Sequence, residues 1–404
     1  MMTILQRHAA MMGRVRAADS AGQLPVRVTI EAVISPTEVV INGQRTVTAG
    51  THNYLGLSLS EACMEAAIEA VRIEGTGTCG SRLEGGSFAH GLLEKEIADC
   101  HRMKHCMIFT TGYQANLGIV SALVGEGDHL IIDADSHASI YDACKQTKAT
   151  AIRFRHNDVE NLRARLRRLQ GQPGEKLVVV EGIYSMIGDT APLRAILDVA
   201  HEFGAYVLVD EAHSFGVLGE AGCGLAEALG VLQEVDFIVG TFSKSLGAVG
   251  GYCVSNLDGF DVLRLASHAY RYTASLPPSV VASVRETLKT IEASPHLRRR
   301  LWDNINVLYG VLKAGGYKLG PDPSPIVAVF VPSPEIAMEA WRMLLSRGFY
   351  VNIGIPPATP NGESLLRCAV CAEHSPDQLE ALAQAILAVG RELQIVSELK
   401  PHIQ

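Results

Sequence analysis

The chain of 404 residues predicts an α/β fold with a mostly parallel central sheet, followed by a smaller C-terminal α+β domain. Two observations point to it. Between about residues 105 and 256, short apolar runs alternate with helix-like segments. Beyond about residue 278 that rhythm stops and long helical stretches take over. Alternation of the first kind suits a parallel sheet whose strands are covered on both faces.

In chain order, the predicted strands are His105–Thr111, His129–Asp135, Ala151–Arg155, Lys176–Ser185, Tyr206–Asp210, Asp236–Gly240 and Gly251–Val254. Helices Gln114–Leu123, Val159–Leu169 and Leu193–Phe203 lie between them. The later part predicts a helical stretch Val280–Leu312, strands Ile326–Val331 and Leu365–Ala369, and a helix Pro334–Ser346. The expected division is an N-terminal segment 1–45, a large domain 46–275 and a small domain 276–404. The N-terminus, with Arg7, Arg14 and Arg16 among methionines and alanines, reads as a short amphipathic helix.

Composition narrows the function classes. Nearly half the residues are apolar, as in a globular protein, and the net charge of −8 leaves no nucleic-acid footprint. The basic runs Arg163–Arg168 and Arg298–Arg300 read as solvated helix faces. Nine cysteines, an odd number in a chain of ordinary size, point to a reducing compartment. The one CxxC spacing, Cys368 to Cys371, sits in an apolar run with no second pair, so buried structural thiols are expected there. No early apolar run suggests a leader or a membrane span, and a cytoplasmic location is expected.

The run Gly240-Thr241-Phe242-Ser243-Lys244-Ser245-Leu246-Gly247 follows a predicted strand. A lysine at a strand end, between hydroxyl residues and glycines, suits a Schiff base with pyridoxal phosphate (PLP). In open α/β sheets, ligands collect beyond the carboxyl ends of strands. His137, Ser185, Asp210, His213 and Lys244 all fall there. Asp210 suits the pyridine nitrogen, whose proton a carboxylate would retain; the alternative is a cap on the next helix. Thr110-Thr111-Gly112-Tyr113 opens a helix whose N–H groups suit a phosphate, with Thr241 and Ser243 adding hydroxyls. His137 and His213 suit the ring face and ring oxygen, or are structural. Arg367 is charged within an apolar strand; it suits a substrate carboxylate or a structural salt bridge.

Together, Asp210-Glu211-Ala212-His213-Ser214 and the Lys244 run resemble the α-oxoamine synthases, a family of fold-type I PLP enzymes. Asn53-Tyr54-Leu55-Gly56-Leu57, Gly75–Arg82 and Asp135–Ile140 also match, and the likeness covers about residues 30 to 390. Ser35–Glu38, Asp133–Asp142, Thr273–Pro278 and the Pro356-Pro357-Ala358-Thr359-Pro360 segment look most like the bacterial serine palmitoyltransferase branch. The resemblance implies an aspartate aminotransferase-like fold and a homodimer with shared active sites. It implies a decarboxylating condensation of L-serine with a long-chain acyl-CoA, with peripheral contact at the inner membrane as a further expectation. Lys244 would carry PLP and act as base, with Asp210, His137 and His213 around the ring. Gly112, Tyr113, Ser185, Thr241 and Ser243 would help hold it. Thr273 would reach the partner subunit's cofactor, and Asn53 and Arg367 would lie near the amino acid. Glycine, alanine, cysteate or an acyl carrier protein donor are the alternatives within the family. A non-catalytic subunit would lack the lysine, and a PLP-sensing regulator would need a DNA-binding module. One departure stands out: serine palmitoyltransferases often carry an arginine just before the Pro-Pro-Ala-Thr-Pro run, and here that position is Ile355.

Overall fold

The computed structural model describes residues 28–396, together with Gln6 and Gly13. The amphipathic reading of Arg7, Arg14 and Arg16 lies outside the described residues.

The seven predicted apolar runs form one seven-stranded sheet. They are β4 (His105–Phe109), β5 (His129–Asp133), β6 (Thr150–Phe154), β7 (Lys176–Glu181), β8 (Tyr206–Asp210), β9 (Phe237–Thr241) and β10 (Gly251–Ser255), in the spatial order β4-β10-β9-β8-β7-β5-β6. β5 through β9 pair in parallel, whereas β10 is antiparallel to both β4 and β9. A parallel return needs a crossover of a dozen or more residues. Only residues 242–250 separate β9 from β10, so β10 runs the other way, and this short link carries Lys244.

Strand side chains alternate between two buried faces. Ile131, Val178, Val207, Val209 and Ile238 enter one core, and Leu130, Val179, Leu208 and Val239 enter the other. Burial on both faces is why these segments read as continuous apolar runs.

The second sheet has the order β1-β2-β3-β12-β13-β11, with β1 Ala32–Ser35, β2 Glu38–Ile41, β3 Gln44–Ala49, β11 Ile326–Val331, β12 Phe349–Gly354 and β13 Ser364–Ala369. β3 pairs in parallel with β12, so strands from the two ends of the chain share this sheet. The expected boundary at 45/46 therefore falls inside β3, whereas 275/276 falls in the loop before helix Pro278–Ala293.

Several segments differ from expectation. The stretch Val280–Leu312 is two helices, Pro278–Ala293 and Pro295–Ala314. Pro295 has no N–H to continue the first helix but suits the opening of the second. Arg298 is buried rather than solvated, and donates to the Glu220 carbonyl. Helices Glu61–Glu74 and Phe88–Cys100, packed against Pro278–Ala293, were not read from the sequence. Cys368 and Cys371 are buried, as expected.

Candidate active site

Parallel register brings the strand ends together. Glu181 at the end of β7 pairs with Asp210 at the end of β8, and Asp210 with Val239 of β9, two residues before Thr241. Around these ends lies a cavity of about 510 Å³. Gly112, Tyr113, His137, Ser185, Asp210, His213, Thr241, Ser243, Lys244 and Arg367 all line it. The large sheet supplies the floor, and Ile353 of β12 with Arg367 of β13 supplies the opposite wall.

Lys244 enters from the β9–β10 link, where its carbonyl accepts the N–H of Gly247 at 2.9 Å. Burial pushes its ammonium down to about 8, although the carboxylates of Asp210 and Glu181 oppose that shift. Asp210 is buried. Its carboxylate accepts from Asn116 Nδ2 at 2.6 Å and from the Ala212 N–H at 2.9 Å. The same Asn116 amide donates to Ser139 Oγ at 3.0 Å, and that hydroxyl lies 2.8 Å from His137 Nδ1. Asp210 and His137 are thus held by one network. Glu181 is also buried, and burial with Asp210 alongside raises its carboxyl well above the usual range. It accepts the backbone N–H of His137.

His213 is buried, and its Nδ1 lies 2.7 Å from the Tyr54 hydroxyl. Burial and the charge of Lys244 hold His213 well below its ordinary pKa; burial lowers His137 as well. Both rings are therefore neutral near pH 7. His52 stands edge-on to His213, with ring centroids 5.6 Å apart. Burial, then the charges of Arg367 and Lys244, push His52 down to about 3. Its Nε2 accepts from Arg367 Nη1 at 2.6 Å, and Arg367 Nε donates to the Ser185 carbonyl at 2.7 Å. Arg367 is buried with a carbonyl and an imidazole rather than a carboxylate, and a structural salt bridge is absent among the described residues.

At the other end of the cavity, Phe109, Gly251 and Thr241 form one row across β4, β10 and β9. The backbones converge there without room for side chains. A Cβ at Gly251 would lie 2.6 Å from the Thr111 carbonyl, and one at Gly112 would lie 2.8 Å from Thr241. Gly112 opens helix Gly112–Leu123, and Thr111 caps it by accepting the Gln114 N–H. Thr241 Oγ1 and Ser243 Oγ lie 2.9 Å apart beside this helix start. Backbone N–H groups at a helix N-terminus, flanked by two hydroxyls, are a fitting cradle for a phosphate. A lysine, a buried carboxylate and this cradle in one cavity fit PLP.

Two expected residues lie elsewhere. Asn53 does not line the cavity; its amide donates to Ser58 Oγ at 2.7 Å, and the neighbouring His52 faces the cavity instead. Thr273 lies in a separate small hollow with Arg82, His90 and Tyr270. Ile355 packs against the core and is not among the lining residues. His52, Asn116, Ser139 and Glu181 were missed. Asn116 follows Gly112 by four residues, one helical turn, and that spacing could have signalled it.

The sequence profile described as "Aminotransferase class I and II" matches residues 48–386. The chain is 52% identical to a serine palmitoyltransferase of Caulobacter vibrioides, over 99% of each chain. It is 47% identical to one of Sphingomonas paucimobilis, over 95% of this chain and 92% of that one. An 8-amino-7-oxononanoate synthase of Lysinibacillus sphaericus is 37% identical, over 89% of this chain and 92% of that one. A solved serine palmitoyltransferase structure, described with its PLP internal aldimine, superposes with a TM-score of 0.95 at 45% identity, covering 98% of this chain and 100% of that one. The fold is that of the fold-type I PLP enzymes, as the sequence led one to expect. The chain belongs to the aminotransferase class I and II family, on the α-oxoamine synthase branch that its motifs resemble.

Proposed function

We propose that this protein is a serine C-palmitoyltransferase, condensing L-serine with palmitoyl-CoA to 3-ketodihydrosphingosine, CoA and CO2. The observation that carries the chemistry is Lys244 sharing one cavity with Asp210, His137, His213 and Arg367. Serine is favoured by the near-complete coverage and higher identity of the serine palmitoyltransferase relatives.

Bound PLP supplies an electron sink that lets the α-carbon of an amino acid lose a proton. Lys244 would hold it covalently, Asp210 would face its pyridine nitrogen, and the Gly112 helix start with Thr241 and Ser243 would take its phosphate. Tyr113 and Ser185 border the same space. With its ammonium near 8, about a tenth of Lys244 is neutral at pH 7, enough for it to take the α-proton. The neutral rings of His137 and His213, which line the same cavity, would border the cofactor without adding positive charge. Arg367 would hold the substrate carboxylate; it is the arginine among the described lining residues, and Ile355 leaves it that task.

The assembly we propose is a homodimer in which Thr273 reaches the other subunit's cofactor. Support comes from exposed apolar side chains on the elements around it, Tyr272 at 71%, Phe88 at 83% and Ile73 at 72% accessibility. No helix among the described residues is long and apolar enough to cross a membrane. A reducing, cytoplasmic setting accords with nine free cysteines.

The deciding experiment is thiol release by the purified PLP-loaded protein across serine, glycine, alanine and cysteate, each with palmitoyl-CoA and with an acyl carrier protein thioester. Release with serine and palmitoyl-CoA alone is expected. Release with alanine or glycine, and none with serine, refutes the assignment.

A further inference from the structure

Away from the cavity, two cysteine sulfurs meet. Cys100 ends helix Phe88–Cys100, and Cys223 lies in the loop that follows Asp210 and His213. Their Sγ atoms are 3.2 Å apart although 123 residues separate them in sequence. A disulfide needs ~2.05 Å between its sulfurs, so about an ångström of side-chain movement closes the gap. Cys223 Sγ also donates to the Cys100 carbonyl at 2.9 Å, which keeps the two side chains together.

The surroundings separate the roles of the two thiols. Cys100 is half-buried and Cys223 is buried. The contact with Cys223 lowers the Cys100 thiol, against burial and the carboxylates of Glu227 and Glu292, and Arg298 adds to the lowering. The same contact and burial raise Cys223, with Glu227 raising it further and Arg102 opposing. Arg298 contributes a second observation. Its guanidinium is buried, Nη2 donates to the Glu220 carbonyl, and Nη1 has no hydrogen-bond partner among the described residues. A Cβ built on Gly222 would lie 2.9 Å from that Nη1, so the cation borders the loop just before Cys223. A positive group beside a partly exposed thiol favours the reactive thiolate.

We propose that Cys100 and Cys223 form a redox-modification site, converted by hydrogen peroxide to a reversible disulfide. The Cys100 thiolate attacks a peroxide oxygen; the S–O bond forms, the O–O bond breaks, and the departing hydroxide takes the proton that Cys100 released. The Cys223 sulfur then attacks the oxidised Cys100 sulfur; the S–S bond forms, the S–O bond breaks, and the hydroxyl leaves with the Cys223 proton as water. Two thiols are oxidised and one peroxide is reduced to two waters. The bond staples the loop after His213 to the helix end. Neither cysteine lines the Lys244 cavity, so the bound cofactor stays in place.

The test treats the wild-type PLP-loaded protein with graded peroxide and then removes the excess with catalase. Thiol titration after unfolding is expected to fall from nine groups to seven and to return to nine with dithiothreitol. A non-reducing peptide mass map is expected to show Cys100 joined to Cys223. The cofactor absorbance stays, and the thermal midpoint rises by a few degrees. In Cys223→Ser, Cys100 is expected to accumulate a dimedone-trapped sulfenic acid that the wild type does not. The inference is overturned if nine thiols persist, if oxidation is confined to the exposed Cys79, or if wild-type Cys100 traps dimedone as fully as the variant. Should the variant fail to fold, the wild-type map alone decides.

Discussion

Replacing Arg367 with leucine removes a guanidinium from an otherwise apolar strand, and the consequences separate into two parts. One part is structural. The Ser185 carbonyl and His52 Nε2 lose their donors, whatever ligand is bound. The other part depends on the ligand carboxylate. A charge-assisted contact of this kind contributes about 1.5–3 kcal/mol, or about 13- to 160-fold in affinity. Comparing L-serine with 2-aminoethanol, which keeps the amine and hydroxymethyl groups but lacks the carboxylate, isolates the second part. The assay is the change in cofactor absorbance on titration with each amine, for wild type and Arg367→Leu. Serine binding is expected to weaken by that factor relative to aminoethanol. Equal losses for the two amines, or a serine-specific loss below about threefold, would refute the assignment of Arg367 to the carboxylate.

Lys244→Ala is expected to abolish condensation and the visible absorbance of the covalently held cofactor; turnover at the wild-type rate would sink the lysine assignment. In wild type, the rate of α-proton exchange in serine should rise with pH through about 8 as the Lys244 ammonium gives up its proton; a flat profile from pH 6 to 9 would contradict it. Gly112→Ala places a Cβ 2.8 Å from Thr241, and PLP affinity is expected to fall at least tenfold by equilibrium dialysis; unchanged affinity would argue against the helix-start cradle. His156 lies between Asp133 and Asp189, at 2.8 and 2.7 Å. Burial works against its charge, but the two carboxylates outweigh it and raise the ring to about 10. A raised histidine stabilises fully below its unfolded value of about 6.5, and that stability is lost as pH rises through the folded value. Chemical denaturation should therefore show His156→Gln most destabilised at and below about pH 6, by about 1.5–3 kcal/mol for hydrogen bonds to a charged, partly exposed ring, with the deficit shrinking as pH rises toward 10. A deficit independent of pH would exclude the charged clamp.

The parts of the fold legible from sequence are those dictated locally. Strands buried on both faces leave continuous apolar runs, which made every strand of the large sheet legible except the largely exposed edge strand β6, read instead from its place in the strand–helix alternation; helix Pro334–Ser346 could be read as well. Helices Glu61–Glu74 and Phe88–Cys100 pack on other helices, and their mixed faces left no run to read. β3 was missed as a strand in part because its partner β12 lies some 300 residues away, whereas β1 and β2 pair locally and were missed because they are short and only partly buried.

The chemistry divides in the same way. A lysine after a strand, an aspartate ending another and a glycine opening a helix are single-position requirements, and residue type alone announces them. The sequence by itself therefore determined the cofactor class, the reaction family and many of the residues that line the cavity. Which neighbour serves each group was decided by tertiary structure. Parallel register set Glu181 beside Asp210, and one helical turn set Asn116 on Asp210. The two sheets closed His52 onto Arg367 across 315 residues, and the same packing turned Asn53 and Ile355 away from the cavity. Hydrogen bonds and desolvation act over a few ångströms of space, and separation along the chain does not measure that distance. The low ammonium of Lys244, on which its proposed role as a base depends, arises only once the lobes have excluded water from it.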